Sequence, residues 1–159
     1  MPLRVAAGFN LMDGTGLFER IFTRERENRV AIVYEHREIS YGELRAQVLG
    51  VAQQLRTSGV SEGDRVALLL ADSPEFIASF VALVSIGAVA TPINLALTSA
   101  AQLFILGDCG ASAAIVEQSR AILLTGNATT LTALKNVFVV QRESGEEIPE
   151  IHGVFAVTG

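Results

Sequence analysis

Gly14-Thr15-Gly16 and the lone lysine, Lys135, are where any phosphate-binding reading of this sequence has to begin. Backbone N–H groups freed by glycine at the start of a helix make a cradle for a pyrophosphate. VAAGFNLMDGTGLFE (5–19) has the outline of strand, loop and helix, but Glu19 stands where the third glycine of that fingerprint belongs. A carboxylate there repels a pyrophosphate, and the segment reads as a flexible turn. A Walker-type loop needs lysine just after its last glycine, whereas Lys135 is followed by Asn136. TGNATTLTALK (125–135) offers threonines, one glycine and that lysine. One glycine frees too few N–H groups to hold a triphosphate, so the segment reads as a capped helix entrance.

The remaining reactive side chains do not assemble into a site either. His36, His152 and Cys109 have no metal-ligand spacing. His36 falls in a hairpin turn and His152 in the tail, and both read as surface residues. Cys109, between Asp108 and Gly110 with no histidine near it in sequence, reads as an inert buried thiol. Glu146, Glu147 and Glu150 form a solvated acidic cluster. Residue chemistry alone therefore yields no catalytic set and no metal site.

The elements that would have to position chemistry are much clearer. Ser40-Tyr41-Gly42-Glu43 is a capping box, and Leu44, Val48, Val51 and Leu55 follow at helical spacing until Gly59. VAIVY (30–34) and REIS (37–40), either side of Glu35-His36, read as a hairpin. Val66–Leu70 is an unbroken apolar run, as in a strand covered on both faces. Ser73 then caps a helix with Pro74 and Glu75 in its first turn and an apolar stripe of Phe76, Ile77, Phe80, Val81 and Val84, stopped by Gly87. A strand over 88–91 runs into Pro92, which cannot donate to a ladder. Thr98 or Ser99 caps a helix to about Leu106; a strand at 112–116, a helical stretch over 118–134 and a strand at 136–140 follow. GVFAVTG (153–159) closes the chain as a further strand candidate.

Alternating strands and helices with short links specify a parallel sheet with right-handed crossovers, an α/β fold of flavodoxin or Rossmann type. The expected layout is one α/β unit over 1–140, with a helical arm (1–29) packed on the sheet, and a tail over 141–159. With 159 residues, half of them hydrophobic, the chain can bury a core. Twelve basic and seventeen acidic residues give a net charge of −5, which argues against nucleic acid as a partner. No ionised residue occurs from Phe76 to Gly107, but Gly87, Pro92 and Asn94 interrupt the run. A buried helix followed by a buried strand accounts for it better than a membrane span does. The single cysteine fits a reducing compartment, and with no signal-like leader the expected location is cytoplasmic.

Four segments in fixed order carry a resemblance: ISYGEL (39–44), LRTSGVSEGDRVALLLADSPEFIASFVAL (55–83), VSIGAVATPINLALT (84–98) and GDCGASAAIVE (107–117). Together they resemble the N-terminal part of the adenylate-forming, AMP-binding superfamily over roughly residues 17 to 140. Pro92-Ile93-Asn94 is similar to the acyl-CoA and aryl-CoA ligase branch. The resemblance implies an enzyme that uses ATP and Mg2+ to join a fatty or aromatic carboxylate to AMP and then passes the acyl group to coenzyme A. It implies that Asn94 and Arg120 lie near the nucleotide end of coenzyme A; Asn94 also reads as a turn former and Arg120 as an exposed helix residue. Tyr41, Gly42 and Glu43 match the family as structural residues.

The family's Ser/Thr/Gly-rich loop ending in Pro-Lys-Gly does not occur in these residues, so no catalytic residue carries over. The expectation is an N-terminal piece of such a ligase, inactive alone and prone to self-association through apolar surface. The alternative is a stand-alone flavodoxin-like binding or interaction module.

Overall fold

The computed structural model describes residues 16–127 and 129–140, together with the backbone of 151–156. The chain enters through a five-residue helix, α1 (Leu17–Ile21), and a 3-10 turn (Arg24–Arg26), then forms the hairpin β1 (Val30–Tyr34) and β2 (Arg37–Ser40). It continues as α2 (Tyr41–Thr57), β3 (Arg65–Leu69), α3 (Pro74–Ser85), β4 (Val89–Pro92), α4 (Ser99–Asp108), β5 (Ala113–Glu117), α5 (Gln118–Thr125), β6 (Asn136–Val140) and β7 (Ile151–Ala156). The main sheet runs β4-β3-β5-β6-β7, and the hairpin stands as a separate two-stranded sheet. β4, β3, β5 and β6 are mutually parallel; β7 joins β6 antiparallel, so the expected parallel sheet is a mixed one with an antiparallel edge.

Strand alternation splits the core cleanly in two. Val66 and Leu68 of β3, Ala113 and Ile115 of β5, and Phe138 and Val140 of β6 face α2 and α3. Ala67 and Leu69, Ala114 and Val116, and Val137 and Val139 face α4 and α5. This near-continuous apolar pattern is what a strand covered on both faces requires.

The helix starts follow the sequence signals. Ser40 caps α2 through a complete capping box, with its N–H donating to Glu43 Oε2 at 2.7 Å and Glu43 N–H donating to Ser40 Oγ at 3.2 Å. Glu43's carboxyl is held below its ordinary value of 4.5, chiefly by that backbone N–H and then by the Ser40 hydroxyl. Ser73 caps α3 with its Oγ accepting from Phe76 N–H at 3.2 Å, and Thr98 caps α4 through Ala101 N–H at 3.3 Å. Gly42 is explained by packing: a Cβ there would lie 3.1 Å from both the carbonyl oxygen and Cγ of Glu27, and its N–H donates to that carbonyl.

Four expectations need correction. The arm's described part docks on the helices, not on a strand face: Phe18 of α1 joins the core beneath α2 and α3, and α1 contacts α3. Residues 1–15, including the rest of the arm and Gly14-Thr15, lie outside the described residues, as do 141–150. α5 ends at Thr125, not near 134. Asn127 and Thr130 turn the chain there (Thr130 Oγ1 to Asn127 O, 2.8 Å), so that Leu131 and Leu134 enter the core; this segment is no helix entrance. The buried face of α3 is lined by small residues, Ala78, Ala82 and Ser85, with Val81 and Leu83. That spacing lets α3 approach both the sheet and α2, which pushes Ile77 out to 38% exposure. Finally β4 is an edge strand with Val89 48% exposed, so only the helix of the predicted helix–strand pair is deeply buried. Pro92 at that edge agrees with its missing donor. Among the described residues no helix is long and apolar enough to cross a membrane.

Candidate functional site

In a parallel sheet, ligands collect beyond the carboxyl ends of the strands where successive crossovers diverge. Here the chain leaves β3 through α3 to β4 on one side, then returns through α4 to β5 on the other. The crevice at that point has a volume of about 210 Å³ and is lined by Leu70, Ser73, Glu117, Gln118, Ser119 and Val140. Its one charge is the Glu117 carboxylate, which accepts from Ala71 N–H at 3.0 Å. The Ser73 hydroxyl already occupies an N–H at the start of α3. A triphosphate needs several inward N–H groups or cations, and this lining offers a carboxylate instead. The crevice does not fit a nucleoside triphosphate. Among the described residues no group of three His, Cys, Asp or Glu is placed to hold a metal ion.

Beside the crevice, on the same edge of the sheet, the loop from Ile93 to Thr98 links β4 to α4. Asn94 folds it: its Oδ1 accepts from Ala96 N–H at 2.8 Å, and its carbonyl accepts from Leu97 N–H at 3.3 Å. Arg120, in the first turn of α5, reaches the same loop, with Nη2 donating to Leu95 O at 3.4 Å. The two residues named from the resemblance thus converge on one loop from strands on either side of β3. Asn94 is the turn former that the sequence also allowed; Arg120 is half-buried, not exposed.

The residue that sequence reading missed is Gln102. It is 1% exposed, and its Nε2 donates to three carbonyls of the loop: Leu95 at 3.1 Å, Leu97 at 3.1 Å and Asn94 at 3.3 Å. Leaving a buried acceptor unpaired costs about 1–3 kcal/mol, so this one amide governs much of the loop's polar balance. Its signal in the sequence is a polar residue one turn before the buried Leu106 on the inward face of an apolar helix.

The other candidates stay apart. His36 sits in the exposed β1–β2 turn, and His152 lies in β7, where only the backbone is described. Cys109 is half-buried at the end of α4, with Sγ 3.4 Å from Leu106 O. Lys135 is exposed, and its N–H donates to Ser112 O at 2.8 Å, a role any residue can fill. Gly16 caps the short α1 from a left-handed conformation, and Glu19 is exposed behind it. Among the described residues α1 leads to the hairpin rather than to a strand of the main sheet. A larger cavity, about 340 Å³, separates the arm from α2 and is lined by Phe22, Thr23, Arg24, Glu27, Tyr41 and Arg45.

Against this geometry the likeness to known proteins is specific. The sequence pattern of the family described as AMP-binding enzyme matches residues 18–154. Malpibaldin synthetase of Mortierella alpina is 33% identical over 108 residues, which is 68% of this chain and 2% of the synthetase. The 3-hydroxybenzoate–CoA ligase of Aromatoleum sp. (strain CIB) is 37% identical over 78 residues, 49% of this chain and 15% of the ligase. The crystal structure of the anthranilate CoA ligase AuaEII in complex with anthranoyl-AMP superposes with a TM-score of 0.72 at 31% identity, over 78% of this chain and 24% of that one. The chain belongs to the AMP-binding enzyme family. Its relatives include aryl-CoA ligases, and it spans only a small share of their length.

Proposed function

We propose that these residues form the N-terminal α/β subdomain of an acyl-CoA or aryl-CoA ligase. The whole enzyme activates a fatty or aromatic carboxylate in two steps. A carboxylate oxygen attacks the α-phosphorus of ATP and pyrophosphate leaves; the coenzyme A sulfur then attacks the acyl carbon, and AMP leaves with the carboxylate oxygen. Two steps are needed because a carboxylate is a poor electrophile until its oxygen becomes part of a good leaving group. The observation that carries this reading is the family match over residues 18–154, together with a fold that superposes on an anthranilate CoA ligase at a TM-score of 0.72.

The described residues contribute scaffold to that chemistry, not the phosphate cradle. Asn94 and Arg120 are proposed to face the nucleotide end of coenzyme A; their shared loop supports this reading. The Mg2+ that accompanies ATP is held elsewhere in the whole enzyme. The test is an ATP–pyrophosphate exchange assay on the full reading frame that carries these residues, run with hydroxybenzoates, anthranilate and fatty acids. Exchange stimulated by one of these acids, and thioester formation once coenzyme A is added, are expected. The 159-residue chain by itself is expected to show neither. Absence of exchange with every acid would favour a binding module that kept the scaffold alone.

A further inference from the structure

We propose that Gln102 is a positioning residue for the coenzyme A half of the reaction: from inside α4 it sets the shape of the loop that carries Asn94 and receives Arg120. This inference rests on the ligase reading above.

Gln102 lies in the first turns of α4, and its side chain folds back toward the helix start, the direction helical side chains favour. There the carbonyls of Asn94, Leu95 and Leu97 converge on its amide nitrogen. A primary amide has two N–H groups, so at least one is shared, and the three acceptors stay together only while the loop keeps its curvature. Two of those carbonyls serve other partners as well. Leu95 O takes Arg120 Nη2, and Asn94 O takes Leu97 N–H. Moving the amide therefore moves the atom that Arg120 grips and the backbone that orients Asn94.

The opposite end of the amide shows that packing is not what places glutamine here. Gln102 Oε1 is buried and has no hydrogen-bond partner among the described residues. Reversing the amide would set that oxygen against three carbonyl oxygens, so the observed orientation follows from the donors. A leucine would fill similar space without an orphaned oxygen; what it cannot do is donate. Arg120 Nε is likewise buried and unpaired, so Arg120 is held here mainly through its terminal nitrogen on Leu95.

The experiment compares Gln102→Met and Gln102→Lys with the unaltered protein, each as the full reading frame. Methionine keeps the length and removes the donors; lysine restores three N–H donors on a chain of similar reach. With Gln102→Met, ATP–pyrophosphate exchange should stay within about twofold, while KM for coenzyme A rises at least about tenfold at similar kcat. Gln102→Lys should recover most of that loss. An unchanged KM for coenzyme A, an equal loss in exchange and thioester formation, or Gln102→Lys no better than Gln102→Met would each overturn the proposal. If Gln102→Met does not fold, Gln102→Glu decides the matter: its carboxylate repels the carbonyls, burial among them pushes its titration above the ordinary carboxylate range, and protonation restores one donor. KM for coenzyme A relative to the unaltered protein should then fall as pH falls, and a flat ratio would overturn the proposal. Absence of exchange in the unaltered protein would instead remove the ligase reading, and this inference with it.

Discussion

The two faces of the sheet are built on different plans. Beneath α2 and α3 the cover is thick: the hairpin and α1 add Ile39 and Phe18 to an apolar core that already joins both helices to three strands. Beneath α4 and α5 the cover is a single thin layer, and its outer surface carries Phe104 at 70% and Ile122 at 78% exposure. On the first face apolar packing does nearly all the work. On the second, a polar clamp from Gln102 and Arg120 holds a loop beyond the carboxyl ends of the strands. Stability is concentrated where no chemistry is expected, and the proposed coenzyme A residues sit where the structure has least to hold it.

Leu68 and Leu69 give the strongest way to break this comparison, because they are neighbours on β3, both fully buried, and point to opposite faces. Leucine-to-alanine changes in cores cost about 2–5 kcal/mol, more where the surroundings cannot collapse into the space. Leu68→Ala should fall near the top of that range and Leu69→Ala near the bottom, read from urea midpoints at constant m. Equal losses would show that the two faces are equally rigid.

How much of this was legible in the sequence follows the same divide. The α2–α3 side announced itself through local signals: the Ser40–Glu43 box, the Val66–Leu70 run, Ser73-Pro74-Glu75, and Gly87 as a stop. Each is a short-range rule in which the residue type fixes the backbone nearby. The errors came where tertiary contact decides. Helical periodicity alone extended α5 to 134, but the turn at Asn127 exists so that Leu131 and Leu134 can reach the second core. On α3 only Ile77 left the expected stripe: Val81 is buried and Phe76 and Phe80 pack against the core, while the small residues Ala78, Ala82 and Ser85 are buried as well. Asn94 and Arg120 came from the resemblance, and that they share a loop could be learned only from the fold. Gln102 was passed over because its partners are main-chain carbonyls, which leave no trace in side-chain spacing.

A smaller effect should separate the clamp from the core. Gln102→Met takes a donor from three carbonyls, of which Asn94 O and Leu95 O keep another partner, so the loss should be about 1–3 kcal/mol. Hydrogen exchange should speed up at Ala96 and Leu97 while β3 amides stay protected; acceleration across both faces would remove the distinction drawn between them.

Smaller again is the capping box, which belongs to the thick face yet lies at its rim. Ser40→Ala should cost about 0.5–2 kcal/mol, the usual range for a lost cap. Its pH signature has a definite sign. Glu43's folded carboxyl titrates below 4.5, so its contribution is present above the unfolded value and disappears as pH drops through the folded one. The stability gap between the native chain and Glu43→Gln should therefore be constant near neutral pH and begin to close once pH falls below the ordinary carboxyl value of 4.5. A gap that persisted in acid would mean that the carboxylate does not hold the Ser40 N–H.

The least change in stability, and the sharpest statement about the thin face, comes from its outer surface. Phe104 and Ile122 contribute little to the fold at their exposure, so Phe104→Ser and Ile122→Ser should each alter stability by less than about 0.5 kcal/mol. Exposed apolar side chains mark a contact surface when they join into one contiguous patch, and it is that patch the two changes test. We therefore expect the 159-residue chain to self-associate at high concentration and the double variant to run closer to monomer in light scattering. On the thick face the matching control is Val33→Ser, since Val33 is 69% exposed on the hairpin. If Val33→Ser reduces association as much as the Phe104 and Ile122 changes do, the sticky surface is not confined to α4 and α5. The asymmetry between the faces would then be one of core depth alone.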